Sequence, residues 1–207
     1  MEGFPRTVRL RDGREVTIWP LTPAYAGQLG DALRHEDRET LYRRFCGAPP
    51  RVTPQLLRHL TELDYVRRFA LVACDRNRRG VAVARYEATS EPGVAEVAVV
   101  VDPGWRRVGV ASALLRMLAV AASARGFTHF TATYLADNRP VADLLDNAHG
   151  QQTIAQGMAD AVVDLHASSG PLPARPDGLV RGVGEPHRGN RQRGERPAQR
   201  GRHRATE

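Results

Sequence analysis

Residues 106–111, RRVGVA, place arginines and small side chains where a strand-like run gives way to a helix-like one. The first amide groups of a helix have no internal acceptor and lie at the positive end of its dipole, so they attract anions. Gly109 lets the backbone approach an anion without an intervening Cβ, and an arginine adds charge-assisted hydrogen bonds. The pattern predicts a phosphate-binding turn. The alternative is an ordinary strand-to-helix turn with solvated arginines.

A single carboxylate, Glu96, stands in the apolar run VAEVAVVV of residues 94–101. Because alanine and valine flank it, it is expected to be partly desolvated, which would raise its pKa toward a range useful for a general base. The alternative is a solvent-facing position on an alternating strand. Glu96 is therefore the candidate proton acceptor beside the predicted phosphate site.

The elements that must position these residues form a mixed α/β pattern. An Asp-Gly pair at residues 12–13 predicts a two-stranded hairpin. Two helices are expected to begin at Thr-Pro pairs, with Thr22 as the N-cap of the first. Further helices are expected over residues 37–45, 112–125 and 137–148. Further strands are expected over residues 68–75, 80–89, 93–103, 128–135 and 160–167.

The positive charge of the chain is concentrated near its C-terminus. Of the net charge of +7, residues 170–207 carry +5 and residues 1–169 carry +2. Residues 169–207 are rich in Arg, Gly and Pro and poor in apolar residues, so they are expected to be a disordered tail. Without aromatic residues for base stacking, such a tail is expected to make at most weak, salt-sensitive contacts with nucleic acid.

Composition favours a reduced protein with one folded domain. The hydrophobic content of 42 % suffices for a core without disulfides, and Cys46 and Cys74 lack the spacing of metal ligands. No apolar run approaches the roughly 18 residues of a membrane span, and the N-terminus lacks the apolar core of a signal peptide. A cytoplasmic protein with no metal and no membrane association is therefore expected.

The motif Arg-x-x-Gly-x-Ala at residues 106–111 resembles the acetyl-CoA signature of the GCN5-related N-acetyltransferase (GNAT) superfamily. The resemblance continues through the helix and strand that follow the motif and into the Asn-containing segment ADNRPVADLL. Upstream, LYRRF and LDYVRRFALVA resemble the branch of bacterial protein lysine acetyltransferases. The resemblance implies a GNAT fold over residues 7–168, with a mixed, mostly antiparallel central sheet flanked by helices.

The resemblance also implies roles for individual residues. The strand before the motif would separate from its neighbour, and its backbone at Val99, Val100 and Val101 would pair with the pantetheine arm of acetyl-CoA. The pyrophosphate would lie beside Arg106 and on the amides of Arg107, Val108, Gly109, Val110, Ala111 and Ser112. Asn138 matches a cofactor-contacting position and is equally well suited to cap a helix. Glu96 falls on the general-base position, and the strand amide near Val99 or Val100 would stabilise the oxyanion.

The function implied is acetyl transfer from acetyl-CoA to a primary amine, in this branch a protein lysine. A small-molecule amine acceptor and a non-catalytic acyl-CoA-binding module are the alternatives. Two segments of the sequence depart from the family pattern. Residues 144–146 are Leu, Leu and Asp, without the tyrosine that protonates the thiolate in many relatives, and Tyr134 is interpreted as a core residue. His149 and Gly150 replace the usual Gly-aromatic turn, so the packing of the last hairpin is in question.

Overall fold

The computed structural model describes residues 3–166, except for the side chains of residues 43–45. The predicted tail, residues 169–207, lies outside the described residues, as does the end of the predicted domain at residue 168. No helix of the described part is long and apolar enough to cross a membrane.

One eight-stranded sheet organises the described residues, in the order β1-β2-β3-β4-β5-β6-β8-β7. Its strands are β1 (Arg6–Arg9), β2 (Glu15–Pro20), β3 (Arg68–Cys74), β4 (Gly80–Ala88), β5 (Val94–Val101), β6 (His129–Leu135), β7 (Gln151–Ala155) and β8 (Met158–Asp164). Only β5 and β6 are parallel to each other, and all other neighbours are antiparallel. The predicted mixed, mostly antiparallel central sheet is thereby confirmed. Strand β7 was not among the strands predicted from periodicity.

Within residues 3–166, five α-helices accompany the sheet: α1 (Ala26–His35), α2 (Arg38–Phe45), α3 (Pro54–Thr61), α4 (Val110–Ser123) and α5 (Arg139–Asp146). Local capping explains two of their starts, because Asp37 accepts from Thr40 N at 2.8 Å and Thr53 accepts from Leu56 N at 3.1 Å. Thr22 occupies the predicted N-cap position with Pro23 at the first helical position, but its side chain makes no capping hydrogen bond. The helix that begins there is a short 3₁₀ helix, Pro23–Tyr25, which leads into α1.

The hydrophobic core lies on both faces of the sheet. On one face, which we call the α4 face, Leu114 and Leu118 of α4 pack with Leu71, Tyr86 and other fully buried side chains. On the opposite face a smaller cluster surrounds Leu21 and Val72, near α1 and α3. Side chains alternate between these faces along each strand. Residues two apart on β5 therefore share a face, while Glu96 and its chain neighbours do not.

The parallel pair β5–β6 separates halfway along its length. Its ladder consists of three pairs and ends at Glu96 opposite Thr131. Both strands continue beyond that point, because β5 stays paired with β4 as far as Val101 and β6 stays paired with β8 as far as Leu135. A wedge-shaped gap therefore opens in the sheet at residues 97–101, and it opens toward the N-terminus of α4.

The last hairpin packs without the aromatic residue whose absence the sequence had put in question. His149 adopts a left-handed conformation (φ 55°), and Gly150 N donates to Leu145 O at 2.9 Å. Tyr134, only 4 % exposed, donates its hydroxyl to Gln152, whose amide donates to Asp146 at 2.5 Å. Burial and the nearby Asp146 charge raise the pKa of Tyr134. This chain of hydrogen bonds joins β6, β7 and α5, which agrees with the interpretation of Tyr134 as a core residue.

We predict that Tyr134→Phe lowers the free energy of unfolding by about 1 kcal/mol, because it removes one buried hydrogen bond. Chemical denaturation of the purified protein measures the change. Tyr42→Phe, at a position 45 % exposed, is the matched control and is expected to leave stability unchanged. Loss of the acetyl transfer that the sequence resemblance implies, at unchanged stability, would instead make this hydroxyl a proton donor in that reaction.

Candidate active site

The turn between β5 and α4 has the backbone geometry of an anion site. Gly109 is the N-cap of α4 at φ 98°, a conformation that side chains disfavour, and Arg107 also has a positive φ of 63°. Ala113 N donates to Gly109 O at 3.0 Å, and helical geometry leaves the amides before it without intrahelical acceptors. The helix begins at Val110 rather than at the predicted Ser112. Val110, Ala111 and Ser112 therefore form its first turn, at the positive end of the dipole.

The two arginines of the motif have different surroundings. Arg106 donates from Nε to Val101 O at 3.2 Å and from Nη2 to Thr40 Oγ1 at 3.0 Å. Its side chain thus connects the end of β5 with α2. Arg107 is exposed, and none of the described residues forms an ion pair with it. Arg107 is consequently the arginine of the motif whose side chain is available to an anion.

The N-terminal hairpin packs against this turn, a contact that the sequence did not predict. Arg11 N donates to Val108 O at 3.0 Å. The Arg14 guanidinium lies 4.0 Å from the centre of the Trp105 ring and donates to Gly104 O at 3.0 Å. A Cβ at position 109 would lie 3.8 Å from both Cγ and Nε of Arg11. The hairpin thus places an exposed arginine directly beside the glycine of the turn.

The end of β5 leads from the gap to this turn. Val99, Val100 and Val101 are half-buried and lie beyond the last β5–β6 pair, so β6 does not occupy the hydrogen-bonding groups on that side. Asn138 follows β6 and precedes α5. Its side chain makes no capping hydrogen bond, so the helix-cap interpretation is wrong for the side chain, and the predicted cofactor contact stays a prediction.

Glu96 lies at the point where the strands separate, within a row of side chains that crosses four strands. Arg68 of β3 is opposite Glu87 of β4, Glu87 is opposite Glu96, and Glu96 is opposite Thr131. Directly opposed residues point to the same face. The row therefore lies on the face opposite α4 and ends at the gap.

The predicted desolvation of Glu96 is wrong, because its side chain is exposed. Its chain neighbours Ala95 and Val97 are buried in the α4-face core, on the other side of the sheet. They cannot cover a side chain that points away from them. The alternative considered from the sequence, a solvent-facing position on an alternating strand, is what the structure contains.

Glu87 and Glu96 differ in their partners. Glu87 accepts from Arg85 Nη2 at 3.1 Å and lies 3.7 Å from Arg68 Nε and 3.8 Å from His59 Nε2. Within the described part of the chain, no hydrogen bond or ion pair engages the Glu96 carboxylate. Of the two opposed carboxylates, Glu96 is therefore the one that is free to accept a proton.

A cavity of about 720 Å³ adjoins this row on the same face of the sheet. Val83, Ala98 and Val100 line it from the strands, and Leu29 and Leu33 line it from α1. Arg85, only 9 % exposed, is the lining residue next to the carboxylates. The end of the gap at Glu96 therefore has open space beside it.

Comparison with known proteins identifies the family. Residues 32–150 match the model of the acetyltransferase (GNAT) family. Acetyltransferase PA5475 of Pseudomonas aeruginosa is 31 % identical over 147 residues, which cover 70 % of this chain and 79 % of that protein. Acetyltransferase Pat of Mycolicibacterium smegmatis is 31 % identical over 144 residues, which cover 69 % of this chain but only 43 % of Pat.

Solved structures of related proteins have a similar fold. The GNAT domain of PAT from S. lividans has a TM-score of 0.73 and 29 % identity, and the match covers 79 % of this chain and 98 % of that domain. A cAMP-binding acyltransferase from Mycobacterium smegmatis has a TM-score of 0.55 at 28 % identity, and the match covers 78 % of this chain and 47 % of that one.

We predict that Gly109→Ala weakens acetyl-CoA binding by about tenfold, because an L-residue strains the left-handed cap by roughly 1–2 kcal/mol. Isothermal titration calorimetry with acetyl-CoA measures the affinity. Gly157→Ala is the matched control, since Gly157 also has a positive φ (79°) and has open space around its Cα. Equal weakening by both variants would show that general strain, and not the turn, controls binding.

Proposed function

The chain belongs to the GNAT acetyltransferase family, and on that premise we propose that it acetylates a lysine side chain of a protein, with Glu96 as general base. Family membership makes it an N-acetyltransferase that takes its acetyl group from acetyl-CoA. The observation that carries the proposal is the separation of β5 from β6 at Glu96. The same strand then leads, through the turn that follows it, to the α4 cap at Gly109.

The donor site of the proposal runs along β5. The amides of residues 107–112 hold the pyrophosphate, and Arg107 and Arg11 add positive charge beside it. The pantetheine arm lies in the gap and pairs with the backbone of residues 99–101. This arrangement brings the thioester close to Glu96 and near Val99, whose amide faces the gap and stabilises the oxyanion. Asn138 contacts the donor from the other side of the gap.

The reaction begins with a proton transfer, because an ammonium has no lone pair and a lysine has a pKa near 10.4. Glu96 takes one proton from the ammonium. The neutral amine nitrogen attacks the thioester carbon, and its N–C bond forms as the C–S bond breaks. The departing thiolate takes the second proton, directly or through water, so that the products are the acetylamide and CoA as a thiol. The proton on Glu96 is then released to solvent.

The open face of the sheet supports a protein as the acceptor. Beyond Glu96 this face continues over polar and exposed side chains, among which Thr133 donates to Asp160 at 2.7 Å. An exposed base on an open surface suits a lysine presented by another protein. The resemblance of LYRRF and LDYVRRFALVA to the branch of bacterial protein lysine acetyltransferases supports the same acceptor class. A small-molecule amine seated in the adjoining cavity is the second candidate, and a non-catalytic acyl-CoA-binding module is the third. The cytoplasmic location stays a prediction.

We predict that Glu96→Gln lowers kcat/KM for a lysine-bearing protein at least about a hundredfold at neutral pH, the usual range for loss of a general base. Acetyl-CoA affinity is expected to be unchanged, since the amides of the turn are intact. Continuous assay of released CoA measures turnover. Glu91→Gln, an exposed residue in the β4–β5 turn, is the control. Unchanged turnover by Glu96→Gln would refute Glu96 as base, and acetyl-CoA binding without turnover in the parent chain would favour the binding module.

We predict that Arg11→Gln raises the KM for acetyl-CoA about fivefold, because an exposed charge-assisted contact to a phosphate is worth about 1 kcal/mol. The effect is expected to shrink in high salt as the charge is screened. Arg34→Gln is the control, since Arg34 pairs with Asp31 on α1 at 2.9 Å. Equal KM values of the two variants for acetyl-CoA at low salt would show that Arg11 does not contribute to the donor site.

A further inference from the structure

We propose that α2 is a strap across the gap between β5 and β6, and that Arg106 is the positioning residue that holds it there. The strap retains the pantetheine arm of bound acetyl-CoA. This inference rests on the proposed function and deepens it, because it gives the Arg106 side chain a role other than the phosphate contact that the sequence motif implies. It also brings α2, which lies outside that motif, into the donor site.

The gap-facing carbonyl at the end of β5 is occupied by Arg106. In an antiparallel pair, alternate residues direct both their amide and their carbonyl to the partner strand. Asp102 N donates to Val81 O, so the even-numbered residues of β5 bond to β4 and the odd-numbered ones face the gap. Arg106 Nε donates to Val101 O at 3.2 Å, and its Nη2 donates to Thr40 Oγ1 of α2 at 3.0 Å. One guanidinium thus joins the edge of β5 to α2.

The other end of α2 is bonded to β6 in a similar way. Ala136 N donates to Gly157 O, so the even-numbered residues of β6 bond to β8 and the carbonyl of Thr133 faces the gap. That carbonyl accepts from Cys46 Sγ, the C-cap residue of α2, at 3.5 Å. Helix α2 contacts both strands, and its Leu41 lines the cavity on the face opposite α4. Helix α2 therefore crosses the gap on that face, bonded to one gap-facing carbonyl on each side.

The contact between Arg106 and α2 belongs to a chain of hydrogen bonds. Thr40 Oγ1 accepts from Arg106 and donates to Asp37 Oδ2 at 2.5 Å, and Thr40 N donates to Asp37 Oδ1 at 2.8 Å. Asp37 is the N-cap of α2. These hydrogen bonds from Thr40 lower the pKa of Asp37, and the charge of Arg106 acts in the same direction. The guanidinium is therefore held between a strand carbonyl and the capped first turn of α2.

The contacts of α2 leave a passage that suits the pantetheine arm. Val99 lies between Glu96 and Val101, and its amide and carbonyl face the gap without pairing to β6. An extended chain that carries amide groups can pair with them as an added strand does. Helix α2 covers such a chain from the face opposite α4, so the chain can leave in that direction only if α2 moves. Arg106 thus contributes to donor affinity through α2, and Arg107 remains the arginine available to the pyrophosphate.

The test is the affinity of full-length variants for acetyl-CoA, measured by isothermal titration calorimetry. Thr40→Val removes the hydroxyl that receives Arg106 and is expected to weaken binding about fivefold, the usual effect of one lost hydrogen bond. Arg106→Gln is expected to weaken binding equally and the double variant no further, because both changes break one bridge. Thr40→Ser keeps the hydroxyl and is expected to bind like the parent chain. Arg38→Gln, at an exposed position in the same turn of α2, is the control for loss of a positive charge.

A fragment of the donor separates the strap from a phosphate contact. The probe is 3′-phospho-ADP, which is coenzyme A without its pantetheine arm, and its affinity is measured by displacement of acetyl-CoA. The affinity is expected to be unchanged in Thr40→Val and Arg106→Gln, whereas Arg107→Gln is expected to weaken the fragment and acetyl-CoA alike. High salt is expected to reduce the effect of Arg107→Gln and to preserve that of Thr40→Val, since only Arg107→Gln loses an ionic contact.

Weaker acetyl-CoA binding in Thr40→Val with parent-like binding in Thr40→Ser supports the proposal. Parent-like binding in Thr40→Val overturns it, as does equal loss of fragment and acetyl-CoA affinity in Arg106→Gln, which would make Arg106 a phosphate ligand. If Thr40→Val fails to fold, as judged by thermal melting, the two affinities of Arg106→Gln decide the question. A parent chain that binds neither acetyl-CoA nor the fragment refutes the proposed function, whereas a binding parent with unchanged variants refutes only the strap.

Discussion

The separation of two parallel strands is the constraint on which the rest of this site depends. Backbone amide and carbonyl groups that leave a ladder must find other partners. Here β5 and β6 stop pairing at Glu96 and Thr131, while their outer ladders with β4 and β8 continue. The sheet is therefore held open from both sides, and one edge of β5 beyond Glu96 is not paired with β6. Such an edge binds an extended ligand by main-chain pairing at little cost in ordering.

Different elements around the gap lie next to different parts of an extended ligand bound along β5. A short connection, residues 102–109, leads from the end of β5 to α4, so the free amides of the first turn of α4 are positioned to bind a phosphate at the end of an extended ligand that lies along β5. The hairpin of β1 and β2 packs on the same turn through Arg11 N and Arg14. At the other end of the gap, the row of Arg68, Glu87 and Glu96 faces an open surface. In the proposed function, phosphate binding and proton transfer take place at opposite ends of one strand and depend on different chemical groups.

Local signals made the strand, turn and helix around the candidate donor site predictable from the sequence. A strand, a Gly-containing turn and an amphipathic helix follow one another within residues 94–123, and Gly109 is needed because the cap has φ 98°. Contacts between distant segments were not predictable. The proximity of Arg11 to Gly109 depends on how a hairpin packs, and the hydrogen bonds of Tyr134 with Gln152 depend on the final order of β6, β8 and β7.

The error at Glu96 has a specific physical cause. Apolar neighbours in the sequence suggested desolvation, but neighbours in a strand point to the opposite face. The environment of Glu96 comes from Glu87 and Thr131, which neighbour it across the sheet and not along the chain. Only the strand register reveals that two carboxylates face each other and that Arg85 lies beside them.

The central claim is that acetyl-CoA lies along the free edge of β5 and ends on the α4 cap. Residue-resolved amide hydrogen exchange, with and without acetyl-CoA, tests it most directly. Acetyl-CoA is expected to newly protect the amides of residues 107–112 and those of residues 97–101 that β4 does not engage. The amides in the β5–β6 ladder, at residues 94–96 and 129–131, are expected to be protected already and to change little. Protection centred on another part of the sheet, with residues 97–101 and 107–112 unchanged, would contradict the account.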